Sequence, residues 1–152
     1  MANTQAMATS FKGELLNAYH NFSATNPART LNTADSFKAA LYLASATMNA
    51  SSTAYTATGE VTGTNYTAGG VAITAWNAPA TGGTTGYTTP TASITYTTVT
   101  LTTAFDAVLI YNNTQANRAV SVHTFGSQTV TAGTFTLTMP TNNSTSALIR
   151  LA

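Results

Sequence analysis

The stretch GTNYTAGGV, residues 63–71, packs three glycines into eight residues. Glycine-rich loops can cradle phosphates, so nucleotide chemistry is the first reading to test. A phosphate loop of the form G-x-x-x-x-G-K-[ST] needs a lysine after its last glycine to reach the phosphates. Here Gly69-Gly70 is followed by Val71, and no lysine occurs after Lys38. The dinucleotide pattern G-x-G-x-x-G is absent, and Val71–Trp76 is patterned as a strand where that motif needs a helix. The glycines therefore read as a corner. They supply the positive φ that ends one strand and aims Val71–Trp76 into the sheet.

Acid–base chemistry has few candidates. The histidines are His20 and His123, and the acids are Glu14, Glu60, Asp35 and Asp106. His20 falls beside Tyr19 on a predicted helix, at its solvent edge. His123 alternates with Ser121 and Phe125 on one strand face and reads as a strand histidine with a local hydrogen bond. Asp106 and Glu60 read as turn residues. A Ser-His-Asp triad is assembled in space, so sequence alone leaves it open, but no G-x-S-x-G elbow occurs. No H-x-x-x-H, H-E-x-x-H or Asp-rich calcium loop is present, and there is no cysteine. No catalytic, cofactor-binding or metal-ligating residue is assigned, and the chain is read as a non-enzyme. Trp76, Tyr87 and Tyr96 offer one further option, an aromatic platform for carbohydrate.

Composition narrows the partners. Charged residues make up 6% of the 152, against roughly a quarter of an average soluble domain. Five basic residues scattered along the chain make no patch for nucleic acid. Between Val61 and Phe105 no residue is charged, yet Thr, Ser, Asn, Gly and Pro interrupt the run throughout, so it is no membrane span. The N-terminus shows no basic segment leading into an apolar one, and no signal peptide is expected there. The N-x-S/T sequons at Asn21, Asn49, Asn65, Asn112, Asn142 and Asn143 follow from an Asn- and Thr-rich composition. So little charge repulsion suits a chain covered by neutral Thr, Ser and Asn, or one buried against partners in an ordered assembly.

The elements that must position these residues are mostly strands. Residues 10–22 read as a helix, because Phe11, Leu15, Leu16, Tyr19 and Phe22 recur on one helical face. Ser10 is its expected N-cap, Glu14 lies near its first turn, and Asn26-Pro27 ends it. Residues 36–48 are ambiguous, and the alternation of Phe37, Ala39, Leu41 and Leu43 decides for a strand. Strands are expected at Val71–Trp76, Ser93–Leu101, Phe105–Tyr111, Arg118–Phe125, Thr134–Met139 and Ala147–Leu151. Residues 77–92 read as a long loop. Val108-Leu109-Ile110 points to burial on both faces, Asn112–Asn117 to a hairpin turn, and Gly126-Ser127 to another turn. The fold class is mainly β, a β-sandwich or jelly-roll-like barrel with one N-terminal helix. Residues 1–26 form an N-terminal arm and helix, and 27–152 a single β domain.

Several segments, in order, resemble small structural proteins of tailed bacteriophages. They are NTQAMATSFKGELLNAYHNF (3–22), FKAALYLASATM (37–48), TAYTATGEVTGTNYTAGGVAIT (53–74), FDAVLIYNNTQANRAVSVHTFGSQTVTAGTFTLTMP (105–140) and the ending ALIRLA. Residues 75–95 fit least well. The resemblance implies a virion component made in the host bacterial cytoplasm, without cofactor. The leading expectation is a capsid decoration (cement) protein, whose partners are the major capsid protein and copies of itself, as a homo-oligomer on the particle. Neither nucleic acid nor membrane is expected as a partner. The alternatives are a tail, head–tail junction or fibre-base component, and a carbohydrate-binding surface module. Residues 1–22 are expected to reach a neighbour, since termini are free to extend.

Overall fold

The computed structural model describes residues 2–16, 18–23 and 33–152. The elements run β1 (Ala6–Met7), α1 (Thr9–Leu16), β2 (Phe37–Leu43), β3 (Val71–Ile73), β4 (Ala80–Gly82), β5 (Thr85–Thr88), β6 (Ile94–Asn112), β7 (Arg118–Leu137) and β8 (Ile149–Leu151). They form two antiparallel sheets, one of five strands in the order β1-β7-β6-β2-β3 and one of three in the order β4-β5-β8. The fold is mainly β and sandwich-like, with a single short helix among the described residues, as the sequence predicts. The expected helix end at Asn26-Pro27 and the domain boundary after residue 26 lie outside the described residues.

The centre of the larger sheet is the run Ala107–Asn112. Every residue in it is buried, and β6 pairs there with β2 on one side and β7 on the other. Burying each large apolar side chain here, such as Val108, Leu109 or Ile110, contributes roughly 1.5–3 kcal/mol. The β6–β7 turn is the expected polar hairpin. Ala116 and Asn117 adopt positive φ, and the Asn112 side-chain oxygen accepts from the N–H groups of Thr114 and Gln115.

Strands predicted as separate pieces are continuous. β6 has 19 residues and β7 has 20, so Gly126-Ser127 lies inside a strand and not at a turn. What breaks the period-two pattern is a set of bulges. Thr98 sits at φ +55°, and the register slips between Tyr96 and Val99. That extra residue turns the strand over, so Ile94, Tyr96, Val99 and Leu101 all point inward, while strict alternation would divide them between faces. A matching irregularity falls at Ala132 (φ +45°), whose N–H donates to Thr100 Oγ1.

Two further expectations are corrected. The loop predicted at 77–92 holds the β4–β5 hairpin, closed by a two-residue turn with Gly83 at φ +60°. The helix covers only Thr9–Leu16 rather than 10–22. It stops because Ala18 enters the left-handed region at φ +54°. There the Ala18 N–H donates to Leu15 O and the Tyr19 N–H to Glu14 O, the two bonds of a Schellman cap. Ser10 consequently lies inside the first turn instead of capping it, and Glu14 falls in the second half of the helix.

Candidate interaction surface

The residues singled out for chemistry are all tied into structural networks. His20 is buried and off the helix, not at its solvent edge. Its Nε2 lies 2.7 Å from Glu14 Oε2 and its Nδ1 3.1 Å from Asn112 Nδ2. A carboxylate only accepts and an amide nitrogen only donates, so the ring is neutral with its proton on Nε2. Burial holds its pKa below the usual value, against the pull of Glu14. Glu14 also accepts from Arg118 Nη1 at 2.7 Å, and the Arg118 guanidinium lies 4.5 Å from the Tyr19 ring centre. Asn112 Nδ2 donates in addition to Asp35 Oδ2. Both ring nitrogens of His20 are thus occupied, and the cluster locks the chain after the helix onto the β6–β7 turn.

His123 makes the local hydrogen bond expected of it, 2.8 Å from Ser121 Oγ. Ser121 is only 2% exposed. Among the described residues no carboxylate bonds to the ring, and burial pushes its pKa down to about 4. Asp106 sits within β6 instead of at a turn and accepts from Asn3 Nδ2 at 2.6 Å.

Glu60 is no mere turn residue. Its buried carboxylate accepts from Tyr55 Oη at 2.6 Å, Tyr66 Oη at 2.8 Å and the Gly69 N–H at 2.7 Å. Two of these three donors belong to GTNYTAGGV. The same stretch makes two close backbone approaches. A Cβ on Gly63 would lie 2.1 Å from Thr100 O on β6, and one on Gly70 would lie 1.8 Å from Ala39 O on β2. Gly69 and Gly70 have φ of +86° and +69°. The corner reading holds, and the corner spans two strands of the large sheet.

The aromatic platform is not assembled. Tyr96 is buried and donates to Ala39 O. Trp76 packs edge-on to Phe22 and Phe37. Tyr87 lies on β5, in the other sheet. Among the described residues no group of three or more His, Asp or Glu is placed to hold a metal ion, and no helix is long and apolar enough to cross a membrane.

The N-terminal segment is not a free arm. Asn3 bonds to Leu43 O, Asp106 and the Met48 N–H. Thr4 and Thr9 donate to Met48 O and Ala50 O, and β1 pairs with β7 at Ser121 and Val122. Ala8 and Phe11 are fully buried. Residues 3–11 therefore belong to this chain's own core and sheet, which corrects the expectation that 1–22 extends to a neighbour.

What remains open is the distal half of the β6–β7 ribbon. On β6, Thr95, Thr97, Thr98, Thr102 and Thr103 are exposed; on β7, Gly126–Thr129, Thr131, Ala132, Thr134 and Thr136 are. No Asp, Glu, Lys or Arg occurs between Arg118 and Arg150, nor between Glu60 and Asp106. Beneath this hydroxyl-coated surface, Phe125, Val130, Phe135 and Leu137 are half-buried against the core. Sequence reasoning found the missing charge but not its location, because the bulges that shape the ribbon have no simple sequence signal. The chain matches no family model, no curated protein and no solved structure.

Proposed function

We propose that this chain is a non-enzymatic structural subunit of a bacteriophage virion, specifically a capsid decoration (cement) protein that binds major capsid subunits and copies of itself. The observation that carries the reading is the distal ribbon, a long sheet surface coated with threonine and free of charge. Such a surface is poorly protected against association in a free monomer and well suited to a fixed place in an ordered lattice. The resemblance of its segments to small phage structural proteins supports the same reading. Each copy would bury a modest interface, and many symmetric copies would add to a large total by avidity.

The N-terminal segment leaves the mechanism, since residues 3–11 are held by this chain, and the ribbon takes its place. Quantitative mass spectrometry of purified particles tests the proposal. Decoration predicts hundreds of copies per virion. A multiple of three or six up to a few tens assigns the chain to the tail or head–tail junction, and absence from the particle rejects a virion role.

A further inference from the structure

The outer edge of β7 is covered along only part of its length. Residues 53–55 and β1 cover it from Arg118 to Val122, through the Ala54–Arg118 bridge, the Ala119 N–H to Thr53 O bond and the β1 register. Beyond His123 no strand of this chain lies on that side among the described residues, since β7 is bordered only by β1 and β6. Exposed edges present unpaired backbone donors and acceptors, and soluble proteins commonly blunt them with lysines, prolines or bulges. Here there is no charge, and Pro140 comes only after the strand has ended. The irregularity at Ala132 interrupts the edge. Beyond it Gly133–Leu137 alternates half-buried and exposed residues, in register with β6 at Ile94↔Leu137, Thr95↔Thr136 and Tyr96↔Phe135, and the extra residue of the slip opposite Thr134 belongs to β6.

We infer that the Gly133–Leu137 edge pairs, antiparallel and about a two-fold axis at Phe135, with the same edge of a second copy. Self-pairing is the arrangement this segment fits. Two-fold contacts bring the same patch together from both sides, and an uncharged edge meets its copy without like-charge repulsion. A charged partner would find no complement there. In this register Phe135 faces its counterpart, Gly133 faces Leu137, and Thr134 faces Thr136. The glycine leaves room for the leucine, the two Phe135 rings form a cross-strand aromatic pair, and the threonines pair on the opposite face. The inference concerns the isolated chain and does not depend on the virion reading.

The test is the mass in solution by light scattering across a concentration series, with circular dichroism as the check on folding. The wild-type chain is expected to rise from 15.7 kDa to twice that mass. Thr134→Lys/Thr136→Lys, at two exposed positions, sets lysine against lysine across the axis and should stay at 15.7 kDa. Thr134→Lys/Thr136→Glu sets lysine against glutamate and should restore the doubled mass. Register is read independently by disulfide trapping, which is clean because the chain has no cysteine. Mixed Thr134→Cys and Thr136→Cys chains should cross-link, while Thr134→Cys alone should not, its two copies lying beyond disulfide reach. A wild-type chain that stays monomeric, a double-lysine variant that dimerises like wild type, or failure of the mixed pair to cross-link would each overturn the inference.

Discussion

The Tyr66 hydroxyl donates to Glu60 Oε1 at 2.8 Å while accepting from the backbone N–H of Leu41 at 2.9 Å. One phenol therefore ties the glycine corner to β2 through a buried carboxylate. Burial and the neighbouring Glu60 raise the Tyr66 pKa far above its usual value, so it remains a donor at any ordinary pH. Glu60→Ala would strand two tyrosine hydroxyls and the Gly69 N–H. We expect a loss of about 3–5 kcal/mol by urea denaturation, since each of the three stranded neutral donors costs about 1–3 kcal/mol. Glu60→Gln keeps the shape and one acceptor and should lose roughly 1–2 kcal/mol.

Gly70 and Gly126 give opposite predictions for the same substitution. Alanine at Gly70 would meet Ala39 O at 1.8 Å and sit at φ +69°, whereas nothing lies within 4 Å of a Cβ at Gly126. Gly70→Ala should cost more than about 4 kcal/mol or prevent folding. Gly126→Ala should change stability by less than about 1 kcal/mol, since it swaps a flexible residue for a stiffer one within a strand. Melting temperatures of the two purified variants check both.

Acid should weaken the fold through His123. Its folded pKa is near 4 against an ordinary 6.5, so between these values the unfolded chain binds the proton and the native chain does not. Stability is complete above pH 6.5 and is lost as pH falls towards 4, by up to roughly 3 kcal/mol at about 1.4 kcal/mol per unit. The lowered pKa of His20 acts in the same direction. His123→Gln cannot titrate and can still bond Ser121, so its stability should vary less over that window. Denaturation midpoints between pH 7 and pH 4 would show the difference.

Removing residues 1–10 should unfold or strongly destabilise the chain. It deletes the Asn3 bonds, the β1 pairing and the buried Ala8, and exposes the edge of β7 at Ser121–Val122. Asn3→Ala alone leaves Asp106 Oδ1 and the Met48 N–H without their partner and should cost about 1–3 kcal/mol. A truncated chain with wild-type denaturation behaviour would contradict this placement.

Local patterns carried the parts of the fold that depend on neighbours in sequence. The apolar run Val108–Ile110 gave the central strand, Asn112–Asn117 gave the hairpin turn, and the missing lysine after Gly70 removed the phosphate reading. What stayed hidden depends on distance along the chain. His20 looks exposed until Asn112, 92 residues away, closes over it. Gly126-Ser127 looks like a turn because glycine permits one, yet β7 pairs with β6 on either side of it, at Thr124 and Gln128, so it is an irregularity within one strand. Thr98 is β-branched and gives no hint of positive φ, so the bulge that aligns Tyr96 with Val99 on one face was invisible. The candidate surface was half legible, since composition showed that charge was missing but only the topology showed which edge has no neighbour among the described residues.

The proposed place of this chain on the outside of a virion is tested by cryo-electron microscopy of the purified particle. The expected result is symmetric density on the outside of the head that fits this β fold, repeated at every equivalent lattice site, with the distal β6–β7 ribbon turned towards a neighbouring subunit. A particle whose density is fully explained without this chain, or a position in which the ribbon faces only solvent, would contradict it.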